Sequence, residues 1–134
     1  MPLKPAWPAQ RRVLVVDDEK FIRRLIIDVL TDLGCRIDAA ENGEAAWNLL
    51  QSVKTDADQY HLLITDNLMP KLSGIALINK VRAEGMTLPI ILASGTPPSK
   101  AEAVQLADAL RPVVILPKPF SIADLSQKVN ALLI

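Results

Sequence analysis

Apolar runs and helical patterns alternate five times along this chain, and that rhythm restricts the fold more than any other feature. Strands are expected at Arg12–Val16, Arg36–Ala40, Leu62–Thr65, Pro89–Ala93 and Val113–Leu116. A first helix is expected over Glu19–Leu33, where Phe21, Ile22, Leu25, Ile26, Val29 and Leu30 recur at helical spacing and Gly34 is placed to end it. A second follows the N-cap residue Asn42 and runs to Val53, and a third covers Gly74–Ala83. The fourth opens on the capping-box pattern Ser99-Lys100-Ala101-Glu102. The fifth opens on the similar Ser121-Ile122-Ala123-Asp124 and is expected to bury Ile122, Leu125, Val129 and Leu132. Alternation of this kind signals βαβ units, and runs of solid Val, Ile and Leu mean that helices cover both sheet faces.

Right-handed crossovers leave few topologies open. The expected fold is α/β: a doubly wound, five-stranded parallel sheet in the order 2-1-3-4-5, a flavodoxin-like three-layer sandwich. Only such an order, with the first and third strands adjacent, brings Asp17 and Asp18 within reach of Asp66. Ser94 and Lys118 follow the fourth and fifth apolar runs. Ligands of open α/β sheets bind outside the carboxyl ends of the strands. Four of the five strands thus deliver three carboxylates, one hydroxyl and one ammonium to a single rim.

With 134 residues, half of them hydrophobic, the chain is sized for one domain with a sizeable core. Residues 1–10 read as a proline-rich N-terminal leader, with Trp7 packing onto the domain, and residues 11–134 as the domain itself. Fifteen basic residues balance fifteen acidic ones with no basic run, which argues against direct contact with nucleic acid. No apolar stretch reaches the roughly 20 residues that cross a bilayer, and the N-terminus lacks a signal-peptide core. The lone Cys35 cannot form an internal disulfide, so a cytoplasmic location is the simple expectation. Cys35 reads as a small buried hydrophobe, His61 as a strand-end residue and Trp47 as core cover on the second helix. Walker, Gly-x-Gly-x-x-Gly and nucleophile-elbow motifs are all lacking.

Three carboxylates on neighbouring loops repel one another, and a hard divalent cation relieves the repulsion. Asp66 would then serve as a nucleophile toward a phosphoryl donor, with Ser94 donating a hydrogen bond and Lys118 supplying a point charge. Taken singly, Asp18 reads as a helix cap, Asp66 as a turn residue, Ser94 as turn chemistry and Lys118 as a solvated charge. Their convergence favours a shared site.

The segments Val15-Val16-Asp17-Asp18-Glu19, Ile64-Thr65-Asp66-Asn67-Leu68-Met69-Pro70, Ser73-Gly74, Leu92-Ala93-Ser94-Gly95 and Leu116-Pro117-Lys118-Pro119-Phe120 resemble the receiver domain of two-component response regulators, like the chemotaxis regulators. The resemblance covers about Arg11 to Leu133. It implies phosphorylation of Asp66 by a histidine kinase or histidine phosphotransfer protein, and Mg²⁺ as cofactor. It implies direct ligation of Mg²⁺ by Asp18, Asp66 and the backbone carbonyl of Leu68, with Asp17 acting mainly through water. Ser94 would be the switch hydroxyl and Lys118 the phosphoryl-pairing ammonium, with Lys118-Pro119 as a cis peptide. A downstream protein would dock on the face made by the fourth helix, fifth strand and fifth helix.

Two positions depart from the family pattern. Ile115 stands where an aromatic rotamer switch is common, and Leu68 stands where many relatives carry a polar side chain. An apolar group cannot orient an attacking water, so a long-lived phosphoryl-aspartate is expected. The chain is expected to be a signalling module and not an enzyme, with no membrane contact and a possible homodimer. Two alternatives are a receiver-like docking module without phosphorylation and an Mg²⁺-dependent aspartyl-nucleophile phosphatase. The second lacks a general acid at Leu68 and room for a cap domain. The sequence names no output: it fits a single-domain regulator or part of a longer protein, and its apolar ending Leu132-Leu133-Ile134 favours continuation or self-association.

Overall fold

The computed structural model describes residues 10–133. Five strands, β1 (Arg12–Val16), β2 (Arg36–Ala40), β3 (Leu62–Asp66), β4 (Ile90–Ser94) and β5 (Val113–Pro117), form one parallel sheet in the order β2-β1-β3-β4-β5. Helices α1 (Lys20–Asp32), α2 (Gly43–Gln51), α3 (Gly74–Ala83), α4 (Lys100–Ala107) and α5 (Ile122–Leu133) connect and flank them. The expected topology and five-unit organisation are therefore present. A 3₁₀ turn at Asp56–Asp58 lies between α2 and β3. Trp7 and Ile134 fall outside the described residues.

Two apolar clusters fill the layers. On one face α1 and α5 close over Val13, Val15, Leu62, Ile64 and Ile91, contributing Ile26, Leu30, Leu125 and Val129. On the other α2, α3 and Leu106 of α4 cover Leu14, Val16, Leu63, Ile90 and Leu92. β3 and β4 are buried along their whole length, as solid apolar runs between two helical layers require.

Two helix faces differ from expectation. Ile122 is 59% exposed, because the buried stripe of α5 is Leu125, Val129 and Leu133 and its first turn carries the Ser121–Asp124 capping box. Leu132 is only partly buried, while Leu133 packs into the core. Phe21 is 78% exposed, since the first turn of α1 starts where β1 has already ended. The capping box predicted for α4 forms in full, yet the helix buries only Leu106. Beyond its C-terminal end Arg82 of α3 clasps the chain. Its Nε donates to the Leu110 carbonyl at 2.7 Å and its terminal nitrogens donate to Met86 at 2.9 Å and Pro112 at 3.0 Å.

At the opposite end of the sheet from the acidic residues, Arg12 stacks on the Tyr60 ring and pairs with Asp38 at 2.8 Å. Tyr60 donates its hydroxyl to the same Asp38 oxygen at 2.7 Å. Burial and the Asp38 charge both hold the Tyr60 phenol above its ordinary pKa. The network ties β1, β2 and the loop before β3 together.

Candidate functional site

The acidic residues meet because adjacent parallel strands end at one level. Val16 of β1 pairs with Thr65 of β3, so Asp17 and Asp18 emerge beside Asp66. Asp17 is fully buried, Asp66 is 7% exposed, and Asp18 faces solvent. Each offers one carboxylate oxygen, and the three oxygens lie within 4.8 Å of one another. Lys118, immediately after β5, spans the cluster: its Nζ donates to Asp17 Oδ2 at 3.1 Å and lies 3.2 Å from Asp66 Oδ1. Its backbone N–H donates to the Ser94 carbonyl at 2.9 Å, continuing the β4–β5 ladder, and the Lys118–Pro119 bond is cis.

Burial raises the Asp66 carboxyl pKa above its ordinary range, the Lys118 charge opposes this, and Asp17 adds to it. Burial works against the Lys118 ammonium, but Asp17 and Asp66 outweigh it and hold the proton above the usual lysine value. Lys118 is therefore a fixed positive charge at neutral pH. It balances only one of three carboxylates, and the remaining ligand set consists of hard oxygens with Asp18 open to solvent. Those properties match a hard divalent cation such as Mg²⁺.

Asp17 has both oxygens engaged, Oδ1 by the Glu19 N–H at 2.9 Å and Oδ2 by Lys118. Its carbonyl accepts from Arg23 at 2.7 Å. α1 starts without a side-chain cap, so capping does not account for Asp18. Ser94 ends β4, buried, and its Oγ donates to the Thr96 carbonyl at 2.7 Å while accepting from the Thr96 N–H at 3.2 Å. Leu68 lies in the loop after β3 with its side chain 69% exposed. Ile115 is partly buried against the cluster beneath α3 and α4.

The bonds of two supports, Asn67 and Arg23, have no signal in the sequence. Asn67 bridges the loop beside Asp66 to the start of α3: its Oδ1 accepts from the Ile75 N–H at 3.1 Å and its carbonyl from the Gly74 N–H at 2.9 Å. Gly74 permits that approach, because a Cβ there would collide with the Asp66 carbonyl and the Asn67 Cα. Arg23 braces the turn after β1. The Ser73-Gly74 pair was visible as a motif, and Ser73 caps α3 by accepting from the Ala76 N–H at 3.1 Å. The bonds of Asn67 and Arg23 to backbone leave no linear pattern.

The residues set aside in the sequence lie away from this rim. His61 accepts from the Arg12 N–H at 3.0 Å as a strand-end residue, and burial together with Arg11 pushes its pKa down. Burial pushes the Cys35 thiol up to about 11, as expected of a structural cysteine.

A family model described as the response regulator receiver domain matches residues 13–130. A chemotaxis protein CheY homolog of Campylobacter jejuni is 39% identical over 125 residues, covering 91% of this chain and 92% of that protein. Response regulator RppA of Synechocystis is 35% identical over 124 residues, and this chain spans about half of its length (50%). The response regulator protein TrrA of Thermotoga maritima, in complex with Mg²⁺ and BeF, superposes with a TM-score of 0.72 at 33% identity, covering 92% of this chain and 100% of that one. A response regulator receiver protein from Pseudomonas putida gives 0.77 at 34% identity, covering 93% and 99%.

Proposed function

The chain belongs to the response regulator receiver domain family of two-component systems, and on that premise we propose that Asp66 is its phosphoacceptor. The observation that carries this reading is the Lys118 ammonium held between Asp17 and Asp66 inside a three-carboxylate cluster. A buried nucleophile, a fixed cation and an anionic ligand set then share one small volume.

Asp66 attacks the phosphorus of a phosphohistidine on a histidine kinase or phosphotransfer protein. A P–O bond forms, the P–N bond breaks, and the electron pair leaves on the imidazole nitrogen. Mg²⁺, when bound, supplies charge neutralisation and orientation of the phosphoryl oxygens. Asp18, Asp66 and the Leu68 carbonyl would hold it. Asp17, with both oxygens already engaged by Glu19 and Lys118, would act through water. Lys118 pairs with the transferred group as a point charge. Ser94 turns its hydroxyl from Thr96 to the phosphoryl group, drawing the loop Gly95-Thr96-Pro97-Pro98 and α4 with it. Moving an equilibrium from 1:99 to 99:1 takes about 5.5 kcal/mol of differential binding. One charged hydrogen bond contributes about 1.5–3 kcal/mol, so Ser94 and Lys118 must act together.

The face formed by α4, β5 and α5 would receive the downstream protein or a second copy, since α4 is anchored by Leu106 alone and exposes Val104. Among the described residues no helix is long and apolar enough to cross a membrane.

Incubation with acetyl phosphate and Mg²⁺ tests the assignment. The wild type should take up one phosphoryl group, and Asp66→Asn none. Stoichiometric labelling of Asp66→Asn would overturn it. Beryllofluoride binding with Mg²⁺ separates this reading from a docking module that takes no phosphate.

A further inference from the structure

A second site candidate lies at the opposite end of the sheet from the acids. A cleft of about 580 Å³ opens there, within the usual size range of small-molecule pockets. Leu50 and Val53 of the α2 region, Met86 and Leu88 before β4, and Leu132 of α5 give it apolar walls. Its polar lining comes from Arg11, Gln59, Tyr60, His61 and Thr87, with no carboxylate side chain among the described lining residues. Tyr60 is already committed to Asp38. Arg11 is different: its Nε–H is buried and has no acceptor.

A buried guanidinium N–H without a partner is costly, and native structures supply such groups with an acceptor. That N–H lies beyond the reach of solvent, so a carboxylate in the cleft would pair with the outer nitrogens of the guanidinium. His61 next to it presents an imidazole whose Nδ1 is occupied by the Arg12 N–H. Among the described residues the lining therefore combines a cation that has no carboxylate paired with it and apolar walls.

We infer that this basal cleft binds a small amphiphilic carboxylate, its head on Arg11 and its apolar body against Leu50, Met86 and Leu132. The occupant would touch α2, the segment before β4 and α5 at once, and so would join the two helical layers from below. The inference stands apart from the phosphoryl chemistry at the other rim.

The probe is 3-phenylpropionate, followed by amide chemical shifts of the full chain. Saturable shifts are expected at Arg11, His61, Thr87 and Leu132. The uncharged analogue 3-phenylpropan-1-ol should bind at least roughly tenfold more weakly, as should 3-phenylpropionate to Arg11→Gln. Arg11→Gln keeps the backbone carbonyl that accepts from the Arg36 N–H, so the β1–β2 edge is retained. Asp66→Asn should bind the probe as the wild type does. Equal affinity for acid and alcohol overturns the inference, and so does an absence of saturable shifts at these residues. Shifts confined to Asp17, Asp66 and Lys118 overturn it as well, because they would place the acid in the phosphoryl site.

Discussion

Ser94 and Thr96 hold each other: the Ser94 hydroxyl donates to the Thr96 carbonyl at 2.7 Å and accepts from the Thr96 N–H at 3.2 Å. On the proposed function, a phosphoryl group on Asp66 would have to compete with that closed pair for the same hydroxyl. Ser94→Ala removes both bonds and leaves Asp66 and Lys118 in place. Beryllofluoride should still bind Ser94→Ala, while the amide shifts it causes at Gly95 and Thr96 fall to a small fraction of those in the wild type. Unreduced shifts would show that the loop responds without its hydroxyl.

Lys118 neutralises a fully buried carboxylate, so removing it exposes a second relationship. Lys118→Met leaves Asp17 buried without its ion-pair partner and should cost about 3 kcal/mol of stability in metal-free buffer. Because the same change removes a positive charge from the metal's neighbourhood, Mg²⁺ should bind Lys118→Met more tightly and recover part of the loss. Urea unfolding with and without Mg²⁺ measures both effects.

The raised pKa of Asp66 has a definite sign in stability. The folded protein keeps this proton to higher pH than the unfolded chain does. Stability from this group is present below the ordinary carboxylate value and is lost as pH rises through the folded value. In metal-free buffer at pH 7, Asp66→Asn should therefore melt at a higher temperature than the wild type, and the gap should close toward acid. Mg²⁺ should reverse the order by binding the wild type. Thermal melts in chelator and in Mg²⁺ across this range give the answer.

The exposed Leu68 side chain contacts little, so Leu68→Asn should change stability by no more than about 0.5 kcal/mol. Its effect belongs to hydrolysis. An amide beside the acyl phosphate can hydrogen-bond an attacking water, and dephosphorylation should accelerate by roughly tenfold, the factor that one added hydrogen bond of about 1.4 kcal/mol in the transition state supplies. An unchanged rate on decay of the labelled protein would refute the role assigned to Leu68.

Gly74 is demanded by contact. Gly74→Ala drives a methyl group into the Asp66 carbonyl and Asn67, and should destabilise by about 1–3 kcal/mol. Mg²⁺ affinity should fall with it, because the Asn67 bridge to α3 holds the Asp66 loop. Gly43, packed equally closely against Leu72, serves as the control: Gly43→Ala should lose stability with less effect on Mg²⁺.

Strand order and rim are legible because burial on both faces leaves β1, β3 and β4 rich in Val, Ile and Leu and each of these runs stops at a polar residue, whereas the edge strand β2, Arg36-Ile37-Asp38-Ala39-Ala40, carries a weaker signal. Strand ends accordingly agree to within one residue. Helical periodicity was less informative at the ends of elements. It defines an apolar stripe but not where the sheet beneath it stops, and so Phe21, which shares the spacing of the α1 stripe, and Ile122, expected to be buried, both lie in solvent. The site carboxylates and Lys118 could be found because each follows an apolar run. Asn67, Arg23 and the Arg12–Asp38–Tyr60 network could not, since they join polar side chains to backbone or to residues distant in sequence.

The Arg82 clasp decides how α4 can travel. With the chain just past its last turn tied to α3 at Leu110 and Pro112, sliding of the whole helix is blocked. What is left is a swing about that tether, widest at Ser99 and smallest near Leu110. A pull at Ser94 would thus act on the end of α4 farthest from the Arg82 tether.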